Sequence, residues 1–128
     1  MTTSLLRALS ALLLLTWLTI AAATPSFAQQ SRYDGLWSVL IITERGTCDR
    51  GYRYPLRIAR GRVAHADPAS SSFTIGGRVG SGGAIRVSVS RGQQSANGSG
   101  RLSRSSGAGR WITSSGQCSG VWTAERRG

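Results

Sequence analysis

The sequence predicts an all-β fold, a small eight-stranded antiparallel meander closing into a barrel. Three observations predict it. After the first 28 residues apolar positions recur with period two, and no i, i+3, i+4, i+7 stripe is sustained anywhere. Glycine- and serine-rich breaks interrupt that alternation roughly every 8–12 residues. The two ends of this part of the chain are also alike. Gly35-Leu36-Trp37 lies near its start, Cys118-Ser119-Gly120-Val121-Trp122 lies near its finish, and the only two cysteines, Cys48 and Cys118, accompany them.

Residues 1–28 stand apart from this pattern. One arginine, Arg7, precedes an uncharged apolar run from Ala8 to Ile20, and Ser26-Phe27-Ala28 offers small residues where a signal peptidase reads. That is the pattern of a secretory signal peptide, and the run is short for a membrane span of about 20 residues. The expected organisation is therefore a leader over 1–28 and one domain over 29–128, exported to the periplasm or beyond, with no transmembrane span after cleavage. A chain of this length has room for one core.

The most apolar segment, 37–43 (W-S-V-L-I-I-T), reads as a first strand covered on both faces. Residues 45–51 form a loop carrying Cys48. Residues 52–59 alternate, with Tyr52, Tyr54, Leu56 and Ile58 against Arg53, Pro55 and Arg57, and Pro55 suggests an edge or a bulge. After an Arg60-Gly61 turn, 62–66 points Val63 and His65 inward, and 67–72 is a loop. Residues 73–79 place Phe73, Ile75, Gly77 and Val79 opposite Thr74 and Arg78. A G-S-G-G turn over 80–83 leads to 84–90, with Ile85, Val87 and Val89 inward and Arg86 outward.

Arg91-Gly92-Gln93 turns the chain again. Residues 95–102 set Ala96, Gly98, Gly100 and Leu102 against Ser95, Asn97, Ser99 and Arg101. Residues 107–113 contain Trp111, and 118–125 align Cys118, Gly120, Trp122 and Ala124. Residues 126–128 read as a frayed basic tail.

A meander of eight strands leaves two open edges unless it closes, and closure places the first strand beside the last. Antiparallel neighbours then bring Cys48 to Cys118, and an oxidising compartment permits that single disulfide. It would close a loop of about 70 residues, worth up to roughly 4 kcal/mol on loop-entropy grounds. An open β-sandwich is the alternative fold. In a barrel, Trp37, Tyr54, Phe73, Trp111 and Trp122, with Tyr52, are the large core residues. Gly77, Gly98, Gly100 and Gly120 would make room for them, so the interior is expected to be filled.

Catalytic chemistry has little to work with. No G-x-S-x-G elbow is present, and His65 is the one histidine, with Asp67 on the same predicted strand face. Two cysteines and one histidine fall short of a four-ligand zinc site. No catalytic residue, metal or cofactor is expected, and the protein reads as non-enzymatic.

Charge is the strongest bulk property. All sixteen basic residues are arginine, and the formal net charge is +11. A field of that size favours anionic partners. Arg53, Arg57, Arg78, Arg86 and Arg101 fall opposite the apolar residues of their strands, which makes them candidate anion-binding residues, because guanidinium grips acid groups bidentately. The same parity suits a solvated face. Expected partners are anionic polysaccharide, lipopolysaccharide or a lipid surface. Nucleic acid is not expected, since no outward aromatic row offers base stacking.

D-G-L-W-S-V, T-C-D-R-G-Y-R-Y-P-L-R-I, G-R-L-S-R and C-S-G-V-W-T-A-E-R-R together resemble a group of small exported proteins of soil alphaproteobacteria, some labelled exoproteins of haem utilisation or adhesion. No C-x-x-C-H haem signature occurs. Gly35-Leu36-Trp37 is similar to the G-x-W that plugs the floor of lipocalin-like and avidin-like barrels. Periplasmic metalloprotease inhibitors are similar in size. The resemblance implies a small-ligand carrier or a protease inhibitor, using the barrel mouth or the arm 29–34, as the alternative to a binding or structural protein acting through its basic exterior.

Overall fold

The computed structural model describes residues 31–128; the predicted leader lies outside the described residues. Eight strands follow in order: β1 (Gly35–Arg45), β2 (Gly51–Ala59), β3 (Arg62–His65), β4 (Thr74–Val79), β5 (Ala84–Arg91), β6 (Gln94–Leu102), β7 (Ser106–Thr113) and β8 (Ser119–Arg126). Each pairs antiparallel with the next, and β1 also pairs with β8, so the sheet closes into a barrel. Among the described residues the one element besides strands is a short 3₁₀ turn, Pro68–Ser70. Among the described residues no helix is long and apolar enough to cross a membrane.

The seam runs from Trp37 opposite Arg126 to Thr43 opposite Gly120, followed by a register shift before Arg45. Cys48 lies in the β1–β2 loop and Cys118 just before β8. They form a disulfide with a Cα–Cα separation of 6.2 Å. Closure gives every strand two partners, and the disulfide ties two loops at the same end of the barrel.

Directly paired residues share a face, so the register carries the period-two pattern around the wall. Trp37, Leu56, Ile58, Val63, Ile75, Ile85, Leu102, Trp122 and Ala124 are buried, joined by Val39 and Tyr33. The short turns follow from local chemistry. Arg60 and Gly61 both have positive φ, 53° and 74°, as a two-residue type I′ hairpin turn needs.

Four expectations are corrected. Only the inner face of β1 is covered. Leu36 is 37 % exposed, and Leu40 and Ile42 are half-buried, because among the described residues no second layer covers the outside of the barrel wall. Pro55 marks neither a free edge nor a bulge; it pairs with Ser38 inside the closed sheet. Its carbonyl accepts from the Ala66 amide, just past the end of β3, and a strand residue's nitrogen points to the same side as its carbonyl. The missing N–H therefore falls where the β2–β3 ladder ends.

Asp67 lies beyond β3 and shares no strand face with His65; its amide donates to His65 Nδ1 at 2.9 Å. Residues 126–128 are not frayed. Arg126 is the last residue of β8, the Arg127 amide donates to Leu36 O (2.7 Å), and the Leu36 amide donates to Gly128 O (2.8 Å).

The Arg126 side chain helps close one end. Its guanidinium lies over the Trp37 ring, 5.4 Å from the centroid. It donates to the carbonyls of Arg32 and Arg104, both at 2.9 Å, and to that of Asp34. Trp37 Nε1 donates to Tyr33 O at 2.8 Å. The chain ahead of β1 is thus folded back under the barrel with Tyr33 buried, and residues 31–34 form part of the floor rather than a projecting arm.

Asp34 fixes this segment to the β2–β3 turn. Its carboxylate accepts from Ser31 Oγ (2.6 Å) and from the Arg60 and Gly61 amides (2.8 and 3.1 Å). Partial desolvation works to raise its pKa, but the Ser31 hydroxyl and the Gly61 and Arg60 amides outweigh it and hold the carboxyl below its ordinary 3.8. A carboxylate depressed on folding stabilises above its unfolded pKa and loses that contribution as pH falls through the folded one. The stability difference between wild type and Asp34→Asn is therefore expected to shrink as pH drops from about 7 to about 2.5. Urea midpoints across that range check it, and a constant difference refutes it.

Candidate functional site

The inward faces do not fill the barrel. They enclose a cavity of about 490 Å³ that reaches from Trp37 to the opposite mouth. The filled interior expected from the aromatic count is corrected, and the reason is where the aromatics lie. Trp122 lies against the β6–β7 wall instead of standing in the lumen. A Cβ at Gly100 or Gly109 would come within 2.6 Å of its ring atoms, and its Nε1 donates to Ser99 O at 3.2 Å. Trp111 sits opposite Gly120 and reaches on to β1, donating from Nε1 to Ile42 O at 3.1 Å. Gly77 and Gly120 accommodate neighbouring backbone, since a Cβ there would meet the carbonyls of Arg86 and Ile42. The large rings thus line the walls.

Of the five residues expected in the core, Trp37 and Trp122 are buried. Tyr54, Phe73 and Trp111 are half-buried and pack against the core from the cavity side. Tyr52, Tyr54 and Phe73 form an aromatic cluster near the mouth. Tyr52 and Tyr54 ring centroids are 4.6 Å apart, and Phe73 meets both rings edge-on at 5.5 and 5.4 Å.

Arg91, at the end of β5, places its guanidinium carbon 5.4 Å from the Phe73 centroid. Burial pushes the Tyr54 phenol up to about 12; the neighbouring Tyr52 acts in the same direction and Arg91 against it. Tyr54 is therefore a neutral hydroxyl at physiological pH. Thr47, Cys48 and Asp49 supply another arc of the lining, so the disulfide holds part of the rim.

The cavity is apolar in its depth and polar at one end. Leu56, Ile58, Ile85 and Leu102 stand near the Trp37 floor, while Asp49, Arg91, Gln94 and Ser95 gather towards the mouth. Parity could have found Arg91 and Arg126. Each continues the inward series of its strand by one rung, but Arg91 adjoins a turn and Arg126 the last residues, where alternation alone gives no face. Nothing local marks Tyr33.

The candidate anion-binding arginines are exposed on the outer wall, and only two of them are brought together. Arg78 and Arg86 are direct cross-strand partners. Arg53 and Arg57 lie apart on β2, where Arg53 donates to Ser38 Oγ at 3.0 Å. Arg101 donates to Gly82 O at 3.1 Å. Arg62, which outward parity on β3 would have flagged, is the direct partner of Arg78. Among the described residues no three His, Cys, Asp or Glu side chains are grouped as metal ligands, and His65 is outside the cavity lining. No protein-family model matches the chain, and no curated protein matches it.

Proposed function

We propose that this is a non-enzymatic exported binding protein whose barrel takes one small, largely apolar ligand through the mouth framed by Tyr52, Phe73 and Arg91. The observation that carries the reading is the cavity itself. Its volume of about 490 Å³ lies within the range of roughly 300–1,000 Å³ typical of small-molecule sites, and a few polar groups at one end can orient an otherwise apolar molecule. Asp49 and Arg91 are the only strongly ionisable groups in the lining, which favours binding over turnover. The leader-like segment and the disulfide support export.

The test is a variant that fills the lumen. Val87 is half-buried on the inner wall, so Val87→Trp has empty space to enter. It is expected to keep the fold and to abolish binding of an apolar fluorescent probe, 1-anilinonaphthalene-8-sulfonate, while wild type binds one equivalent. Titration by fluorescence, with circular dichroism as the control, checks both. Equal probe binding by the two proteins refutes the reading.

A second reading concerns the exterior, which we propose contacts anionic envelope components. It is favoured by the excess of cations: among the described residues there are fifteen arginines, of which Arg91 and Arg126 belong to the cavity and its floor, against five acids, and only two ion pairs, Arg110–Glu44 and Arg127–Glu125.

A further inference from the structure

We infer that Arg62, Arg78 and Arg86 form one binding site on the outer wall for an acidic polysaccharide, a linear sugar polymer carrying sulfate or carboxylate groups. The inference rests on the exterior reading and localises it. Arg62 stands directly opposite Arg78 and Arg78 directly opposite Arg86, so three guanidinium groups follow one another across β3, β4 and β5. Adjacent strands lie about 4.8 Å apart, so the row presents three cations over roughly 10 Å.

Like charges directly opposite one another on a sheet face destabilise it. Among the described residues none of the three has a carboxylate within ion-pair distance, and none donates a side-chain hydrogen bond. By contrast Arg53, Arg101, Arg110 and Arg126 all do. The row is a concentration of charge that no carboxylate among the described residues neutralises.

Its surroundings indicate the class of anion. The row lies in a depression of the outer wall that also takes in Gly76, Ser88, Asn97 and Ser99 and, further round, Arg110 and Ile112. Gly76 leaves open space beside Arg78, and Ser88 Oγ donates to Asn97 Oδ1 at 3.0 Å, with Ser99 opposite Arg86. Hydroxyls and an amide beside guanidinium groups suit a polymer of alternating acid and hydroxyl groups. The outward positions of β3 to β6 carry no aromatic side chain for stacking bases, and the one large apolar side chain at the far side of the depression, Ile112 of β7, is a single residue and not a face that could enter a bilayer.

The test compares two triple variants that remove the same charge. Binding of the disulfide-intact protein to dextran sulfate and to polygalacturonate is measured across a salt series. R62S/R78S/R86S is expected to weaken binding at least tenfold at about 0.1 M salt and to lower the slope of log Kd against log salt by about three. R53S/R57S/R101S is expected to weaken it less than threefold. Because the row repels itself, the first variant should also melt no lower than wild type.

Absence of wild-type binding to both polymers and to anionic phospholipid vesicles overturns the exterior reading, and absence of binding to the two polymers alone overturns the assignment to polysaccharide. Equal losses in the two triples leave that reading intact and overturn the row. Row-dependent binding that is tighter to duplex DNA or to anionic phospholipid vesicles overturns the assignment to polysaccharide. A lower melting temperature for R62S/R78S/R86S assigns the row to stability and overturns its role as a site.

Discussion

Trp37→Ala is expected to destabilise the barrel by about 3–5 kcal/mol, which for a domain of this size is a large share of the total. Trp37 is 2 % exposed, the most buried large side chain described. Its truncation removes three supports at once: the packing that closes the floor, the indole N–H bond to Tyr33 O, and the ring surface on which Arg126 lies. The Tyr33 carbonyl loses its buried donor, and Arg126 keeps its carbonyl partners without the ring beneath. Since Trp37 also lines the cavity, the variant should lose probe binding under conditions where it remains folded. Urea unfolding checks the first expectation and fluorescence titration the second. An unfolding free energy within about 0.5 kcal/mol of wild type would show that the floor is held by the other contacts.

Breaking Cys48–Cys118 is the second large effect. The disulfide spans 70 residues of sequence, and restricting the unfolded chain over such a loop contributes up to roughly 4 kcal/mol. The hydrogen-bonded β1–β8 seam remains when the sulfurs are replaced, so Cys48→Ser/Cys118→Ser should still form the barrel, at lower stability. The loop after β1 loses its tie to the loop before β8, and Thr47, Cys48 and Asp49 all border the cavity. Weaker probe retention should therefore accompany the lower midpoint. Denaturant midpoints of wild type with and without reductant, beside the double variant, measure it. Identical midpoints in all three would show that the seam needs no covalent help.

Much of the architecture was legible because period two is a local property. Tyr54, Leu56 and Ile58 against Arg53 and Arg57, or Ile85, Val87 and Val89 against Arg86, are face assignments that follow from backbone geometry alone. The barrel and its disulfide followed from two tryptophan-bearing ends and the need to dispose of open edges. Misreadings cluster where local rules stop. Arg91 and Arg126 continue their strands' parity into positions that look like a turn and a tail, and tertiary contacts with Phe73 and Trp37 hold them there. A proline is barred only where a ladder runs past its nitrogen, and the β2–β3 ladder stops at Leu56–His65, so Pro55 fits inside a closed sheet.

By itself the sequence determined which side chains face in and which face out, where the chain turns, and that its first and last strands belong together. Only the tertiary structure decided that the lumen is open and that Arg62, Arg78 and Arg86 stand in line. Inward parity does not fix how far a ring reaches into the lumen. That depends on barrel radius and on glycines such as Gly100 and Gly109, which let Trp122 lie against the neighbouring strands β7 and β6. Outward parity likewise leaves open which residues become neighbours. That is set by the register between strands, a property of pairs of segments that no single segment encodes.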